Sequence, residues 1–202
     1  MTVSYEVVER FEASLVDGSS EAIADWAATG AAGLLHLRDY LDGRLDPLPA
    51  DGVNAIVLID NTSASVAAIA AAHPESFLEA FEADRFREDT FVLTGLGQID
   101  DPRATDRLAR AASSRDQWVR MHAAIGLGRR VSPLATATLE PLLTDDEYLV
   151  RYHSLKSLAG IGDIAAVPAL RRMVPPTPRE AELIAETIAS ITDRASDGRV
   201  SG

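Results

Sequence analysis

The side chains best suited to metal chemistry in this sequence are two histidines, His122 and His153, which lie 31 residues apart. Histidine is a common metal ligand, and a shared metal would need a nitrogen from each ring within about 2 Å. The residue 31 positions before His122 is Phe91, which indicates a position for a flat, partly buried ring. Equivalent positions on packed helices lie about 8–10 Å apart. We therefore predict a structural role for both rings and no metal site.

A set of arginines in the C-terminal half is the second group with a chemical use. Three of them follow near i, i+4 and i+7 spacing and therefore share one face of a helix. They predict a strip that binds another protein, and a solvated helix face with Asp106 and Glu140 nearby is the alternative. The predicted protein-binding residues are Arg103, Arg107, Arg110, Arg171 and Arg172.

Two further arginines, Arg120 and Arg151, are also 31 residues apart. An acid precedes each by four residues, Asp116 in one case and Glu147 in the other, so each arginine is placed for an i, i+4 ion pair. We expect them to link neighbouring units rather than to bind a ligand. No Ser/His/Asp arrangement, phosphate loop or carboxylate pair stands out, so no catalytic residue is predicted.

These side chains belong to a unit of 31 residues that occurs three times between residues 88 and 174. Two leucine columns define the unit, and Trp118 and Leu149 join its apolar positions at helical spacing. Each unit therefore predicts two helices, and stacking is needed to bury both apolar faces, as in an α-solenoid. The columns are Leu96, Leu127 and Leu158, and Leu108, Leu139 and Leu170.

Turn chemistry marks the ends of these helices. A hydroxyl residue precedes an acid by three positions before each first helix, which predicts three capping boxes. The second helices begin after good N-cap residues, and glycines near the end of each first helix predict a left-handed residue that closes it. The boxes are Ser113/Asp116, Thr144/Glu147 and Thr177/Glu180, the N-caps are Asp101, Ser132 and Asp163, and the glycines are Gly95, Gly97, Gly126, Gly128, Gly160 and Gly162.

The pattern resembles a family. Val150-Arg151, Ile161-Gly162-Asp163 and residues 166–170 are similar to the HEAT-like repeat that also occurs in phycobilisome lyases, and residues 119–139 are a looser copy. The resemblance implies an all-α protein: a right-handed α-solenoid of five or six antiparallel helix pairs. It also implies that second helices line the concave face, here residues 101–113, 133–143 and 164–174.

The same resemblance implies a function. The leading expectation is a non-catalytic scaffold or adaptor that binds another protein. The alternative is a lyase-like accessory protein or enzyme acting on a bound chromophore or cofactor. Deoxyhypusine hydroxylase has similar repeats with His-Glu pairs, but none of the four histidines here precedes a glutamate. DNA glycosylases of this class need a basic groove, which a chain of net charge −12 with one lysine does not favour. We expect no nucleic acid partner and no cofactor.

Composition supports a cytoplasmic protein. The chain has no cysteine, its first 16 residues lack a basic signal-peptide start, and no apolar run approaches the roughly 20 residues of a membrane span. Residues 1–100 carry 18 acids and 5 bases, or −13, whereas residues 101–202 carry +1. This asymmetry favours solubility, with a basic partner docking on the acidic half as the alternative.

The sequence predicts three parts along the chain. Residues 1–45 are N-terminal helices, and residues 46–194 are HEAT-like repeats, with clear copies at 84–174 and degenerate ones before and after. Residues 195–202 are a flexible tail. The apolar run at 56–59 could form a strand, but no second strand offers it a partner, so a buried helix is predicted.

Overall fold

The computed structural model describes residues 4–45, 55–162 and 164–200. Every regular element in these ranges is helical, as the repeat pattern predicts. Within the same ranges two short 3₁₀ helices, Asp84–Phe86 and Ile164–Ala166, accompany twelve α-helices. The α-helices are α1 Tyr5–Val16, α2 Ser20–Ala27, α3 Gly30–Leu41, α4 Ala55–Ala72, α5 Pro74–Ala80, α6 Thr90–Leu96, α7 Pro102–Ala111, α8 Gln117–Leu127, α9 Pro133–Leu142, α10 Tyr148–Ile161, α11 Val167–Arg172 and α12 Pro178–Val200.

The helices form two units, unit 1 at Met1–Ile99 and unit 2 at Asp100–Gly202. The predicted three-part division places its boundaries elsewhere, after residues 45 and 194. The last helix, α12, continues beyond residue 194. The predicted loop at 46–52 and the predicted N-cap Asp163 lie outside the described residues.

Unit 1 is built around aromatic side chains and polar links that do not repeat. The Phe11 ring centroid lies 4.7 Å from that of Trp26 and 5.0 Å from that of His36. The indole of Trp26 donates a hydrogen bond to the carbonyl of Ser65, and the amide of Asn61 donates one to the carbonyl of Leu15 at 2.8 Å. Both of these polar side chains therefore have a partner on another helix, as burial requires.

Helix α4 contains the apolar run at 56–59 that could have been a strand. The prediction of a helix is confirmed, but the prediction that it is buried is wrong, because Ile56, Val57 and Ile59 are 68%, 45% and 54% exposed. Its buried side chains lie further along, where Val66 and Ile69 face the core. By length and composition alone α4 could cross a membrane, with 18 residues at a mean hydropathy of 1.6. This differs from the expectation that no apolar run approaches such a length, and 28% of the helix is buried.

Unit 2 repeats one arrangement. The first helices α8, α10 and α12 pack side by side, and the second helices α7, α9 and α11 each pack beside a first helix. The leucines of both columns that fall in this unit, such as Leu127 and Leu139, are completely buried. Stacked pairs therefore share one core, which is the α-solenoid arrangement.

The helix starts follow the predictions in part. The carboxylate of Asp101 and the hydroxyl of Ser132 cap α7 and α9, as predicted. Only the third capping box forms, where Thr177 accepts from the N–H of Glu180. The other two predicted capping boxes do not form, because a nearer carboxylate accepts the backbone N–H groups in place of the hydroxyl. Asp116 itself caps α8, and Asp145 accepts from the N–H of Glu147.

The predicted left-handed glycines are wrong for a physical reason. Gly97, Gly128 and Gly162 have negative φ, between −58° and −65°. Gly128 is needed for a close helix approach instead, because a Cβ there would lie 2.9 Å from the Cα of Ser157. Small residues allow first helices to pack this closely.

Candidate protein-binding face

The arginines of the first helices are occupied inside the solenoid. Arg120 donates from Nε and Nη2 to the carboxylate of Asp145 in the following unit, at 2.7 and 2.9 Å. Its Nη1 donates to the carbonyls of Ser114 and Arg115, at 2.9 and 3.1 Å. The hydrogen bond with Asp145 raises the pKa of Arg120. Burial alone would raise the pKa of Asp145, but its hydrogen bonds from Arg120 and Glu147 outweigh that and lower it.

Arg151 repeats these contacts one unit later. Its Nε donates to Glu180 at 2.8 Å, and its Nη1 donates to the carbonyls of Asp145 and Asp146 at 2.8 and 3.0 Å. The predicted linking role is therefore correct, but the predicted acids are wrong. The partner belongs to the next unit because the guanidinium points along the stack and not along its own helix.

The arginines of the second helices are placed differently. Arg110, Arg171 and Arg172 are exposed, and among residues 4–45, 55–162 and 164–200 no carboxylate pairs with them. Arg171 and Arg172 also lie in the last turn of α11, where a cation interacts favourably with the helix dipole. Arg103 is exposed too, but it is held by two hydrogen bonds to Asp101, its own helix cap, at 3.0 and 2.8 Å.

Arg107 is the fifth predicted binding residue and is half-buried on α7. The structure therefore places all five residues on second helices, as predicted, and separates them by environment. Three are open to a partner molecule, one is engaged with its cap, and one is partly covered. Their role in binding stays a prediction.

An open groove of about 330 Å³ lies between the second helices α9 and α11. Ala137 and Pro141 line it from α9, and Ala169 and Met173 line it from the other side. Glu140 and Arg172 place one charge of each sign at the groove. The sequence predicts the flanking helices as the binding face but contains no sign of the groove, because the space between two helices depends on their packing.

A row of equivalent positions crosses this face at 31-residue intervals: Arg110 on α7, Pro141 on α9 and Arg172 on α11. Two exposed arginines thus flank an apolar position in the middle helix. Pro141 has no N–H, so the carbonyl oxygen of Ala137 lacks the donor that normally bonds it in a helix.

A second exposed face differs from the sequence prediction. Trp118 and Leu149, predicted to be part of the repeat's apolar core pattern, are 50% and 38% exposed at the start of α8 and α10, and Tyr148 is 44% exposed. Trp118 and Leu149 are each the second residue of their helix, so they lie at its end and not in its buried middle. Tryptophan and tyrosine are common at protein interfaces, so this aromatic face, defined by these three residues, is a competing candidate.

The two histidines lie on the same side of α8 and α10. Burial lowers the pKa of both His122 and His153, and the proximity of His153 lowers that of His122 further. The ring of His153 packs edge-on against that of Tyr152, with centroids 5.1 Å apart. Within the described parts of the chain, no group of three or more His, Cys, Asp or Glu side chains could hold a metal ion. The lowered pKa favours the neutral form of both rings, which suits a packing role.

Comparison with known families identifies the class of protein. A family model described as HEAT repeats matches residues 75–149, and one described as PBS lyase HEAT-like repeat matches residues 150–174. The chain is a HEAT-like repeat protein. HEAT repeats generally serve as scaffolds for protein interaction. A comparison with curated proteins finds no match.

Proposed function

We propose that this protein is a non-catalytic scaffold or adaptor that binds an acidic partner protein on the second-helix face of unit 2, formed by α7, α9 and α11. The partner supplies carboxylates to exposed arginines, and the stack of helix pairs holds those arginines at fixed separations. A repeat architecture suits this role because it presents an extended and rigid surface.

One observation carries the proposal: the different use of arginine on the two helix layers. Arg120 and Arg151 on the first helices are mostly buried and bonded to acids of the next unit. Arg110 and Arg172 on the second helices are exposed, and nowhere in the described ranges does a carboxylate lie within ion-pair distance of either. An exposed arginine without an internal role is suited to recognising a carboxylate on another molecule.

The test is a binding titration with the partner obtained by affinity capture from the native cell. The variant Arg110→Glu with Arg172→Glu should weaken binding at least about tenfold, because attraction becomes repulsion at two positions. Raising the salt concentration should weaken the wild-type complex in parallel. The double variant should keep its fold, since exposed substitutions usually change stability by less than about 0.5 kcal/mol.

Two matched variants show whether the face is correct. Arg115→Glu reverses an exposed charge of unit 2 outside the second helices and should bind as wild type. Trp118→Ala with Tyr148→Ala removes the aromatic face and should also leave binding unchanged. If the aromatic variant loses binding while Arg110→Glu with Arg172→Glu keeps it, the partner uses the first-helix side and the proposal is wrong.

An accessory role on a bound chromophore or cofactor is the alternative function. The observation that favours it is the match of residues 150–174 to a repeat named after the PBS lyases. A visible absorption band that stays with the purified protein through gel filtration would support this function, and a colourless preparation that retains a protein partner supports the scaffold.

A further inference from the structure

We infer that the second-helix face recognises an extended acidic segment with a defined pattern: two carboxylates at least about five residues apart, with a large apolar side chain between them. This inference rests on the proposed function and goes further, because it names the chemistry of the segment and where each part of it binds.

The spacing follows from the row Arg110, Pro141 and Arg172. Neighbouring packed helices lie about 8–10 Å apart, and α9 and α11 pack less closely than this where the groove opens, so the two arginines, which are separated by two helix steps, lie at least about 16 Å apart. An extended chain rises about 3.3 Å per residue, so at least about five residues span this distance. Carboxylates at both ends of such a segment would each meet one guanidinium.

The groove supplies the apolar requirement. It opens between Pro141 and Arg172, on the row itself, and is lined by Ala137, Ala169 and Met173. Two alanines leave space that a larger side chain can fill, and Met173 can adapt to its shape. A volume of about 330 Å³ is at the lower end of the range for small-molecule pockets and accommodates a leucine side chain.

Charge and hydrogen bonding favour an extended acidic segment over a neutral helix. The carbonyl of Ala137 is an acceptor without its usual helix donor, and an extended segment can offer it a backbone N–H, which a helix does not expose along its side. Glu140 at the same groove disfavours an acid next to the apolar residue. The acids are therefore expected at the ends of the segment and not beside its centre.

A fluorescent peptide of sequence Glu-Ser-Ser-Leu-Ser-Glu with blocked ends tests the pattern by anisotropy with the full-length protein. Two control peptides keep the charge of −2. One has serine in place of leucine, and the other has the two glutamates adjacent and the leucine at one end. The patterned peptide should bind at least about fivefold more tightly than either control, since both a filled groove and two correctly spaced ion pairs are needed.

Protein variants locate the site. Ala137→Trp fills the groove from an exposed helix position and should reduce binding of the patterned peptide to that of the serine control. Ala185→Trp, on the exposed side of α12, is the matched control and should bind as wild type. Arg110→Glu with Arg172→Glu should abolish binding of all three peptides.

The outcomes separate this inference from the proposed function. If the three peptides bind equally and only the arginine variant loses them, the face attracts acids without a pattern, and the inference is wrong while the proposed function stands. If no peptide binds but the natural partner is lost with the arginine variant, the same conclusion holds. If sedimentation shows instead that a second copy of this chain, through its acidic unit 1, occupies the arginine row, the inference is also wrong.

Discussion

The helices of unit 1 and those of unit 2 are joined by different kinds of contact. In unit 1 the helices are joined by hydrogen bonds that each occur once. The indole of Trp26 bonds to the carbonyl of Ser65, and the imidazole of His73 bonds to the carbonyl of Ala27. In unit 2 the joining contact recurs, first as Arg120 with Asp145 and then as Arg151 with Glu180. The 31-residue spacing of the sequence is clear in the part of the chain where this contact recurs.

The two units also differ in charge, and the difference has a consequence for binding. Unit 1 holds 17 acids and 5 bases, or −12, whereas unit 2 holds 14 of each. The charges of unit 2 balance in number but are not evenly placed. Arg120 and Arg151 on the first helices are paired with acids of the same unit, whereas Arg110, Arg171 and Arg172 on the second helices are exposed. Net charge therefore points to unit 1 as the charged surface, while side-chain placement points to unit 2 as the binding surface.

The largest expected effect concerns the aromatic core of unit 1. Phe11 is 1% exposed and contacts the rings of Trp26, His36 and Tyr40. Phe11→Ala should cost about 4 kcal/mol in urea unfolding, and Leu127→Ala in the repeated core of unit 2 about 3 kcal/mol, because the larger ring leaves the larger cavity. An equal or greater loss for Leu127→Ala would contradict the view that unit 1 concentrates its packing in one cluster.

The second effect concerns the recurring ion pair of unit 2. Glu180 is 2% exposed, and Glu180→Ala leaves the guanidinium of Arg151 without its acid, which should cost about 3 kcal/mol of unfolding free energy. The neighbouring pair of Arg179 and Glu182 is 66% and 63% exposed, so Glu182→Ala should cost less than about 0.5 kcal/mol. If Glu180→Ala and Glu182→Ala lost similar unfolding free energy in urea, the recurring buried pair would stabilise the fold no more than an exposed pair does.

A third, smaller effect distinguishes two glycines of unit 2. A Cβ on Gly128 would meet the Cα of Ser157 at 2.9 Å, whereas one on Gly160 would have its nearest neighbour at 3.8 Å. Gly128→Ala should destabilise by about 1–2 kcal/mol, and Gly160→Ala should stabilise by about 0.5–1 kcal/mol through helix propensity. Thermal denaturation checks the signs, and stabilisation by both variants would show that the helices do not approach closely at Gly128.

The smallest effect is a pH dependence. Because burial lowers the pKa of His122 and His153 in the folded protein, the unfolded chain binds more protons below about pH 6.5, the ordinary histidine pKa. Unfolding free energy should therefore fall as the pH drops from about 7.5 to about 5.5. His122→Phe with His153→Phe should show a smaller drop in Tm over this range. Part of the pH dependence that remains in this variant comes from His36, because burial also lowers its pKa. If the drop in Tm were unchanged in the double variant, His122 and His153 would not be the cause of the pH dependence.

The sequence predicts the helical repeats well because periodicity and caps are local properties. Leu108, Leu139 and Leu170 are buried as predicted, and Pro133 begins α9 behind its cap Ser132. The family matches confirm a HEAT-like repeat protein. What repeats along the chain at fixed intervals can be recognised without coordinates.

The sequence predicts contacts between units less well because they depend on side-chain direction. Spacing favours Asp116 as the partner of Arg120, but the long side chain of Arg120 reaches Asp145 on the next unit. The apolar nature of Trp118 predicts a core position, yet half of this side chain is exposed. The groove between α9 and α11 has no sequence signal, since it is a space left by packing and not a residue pattern.

Hydrogen–deuterium exchange with and without the captured partner tests the central claim most directly, because it reads backbone amides of both units in one measurement. We predict slower exchange on complex formation in the second helices Pro102–Ala111, Pro133–Leu142 and Val167–Arg172, and no change at the start of α8 and α10. Slower exchange confined to unit 1, or to the ends of α8 and α10 around Trp118 and Tyr148, would contradict the claim that the second-helix face binds the partner.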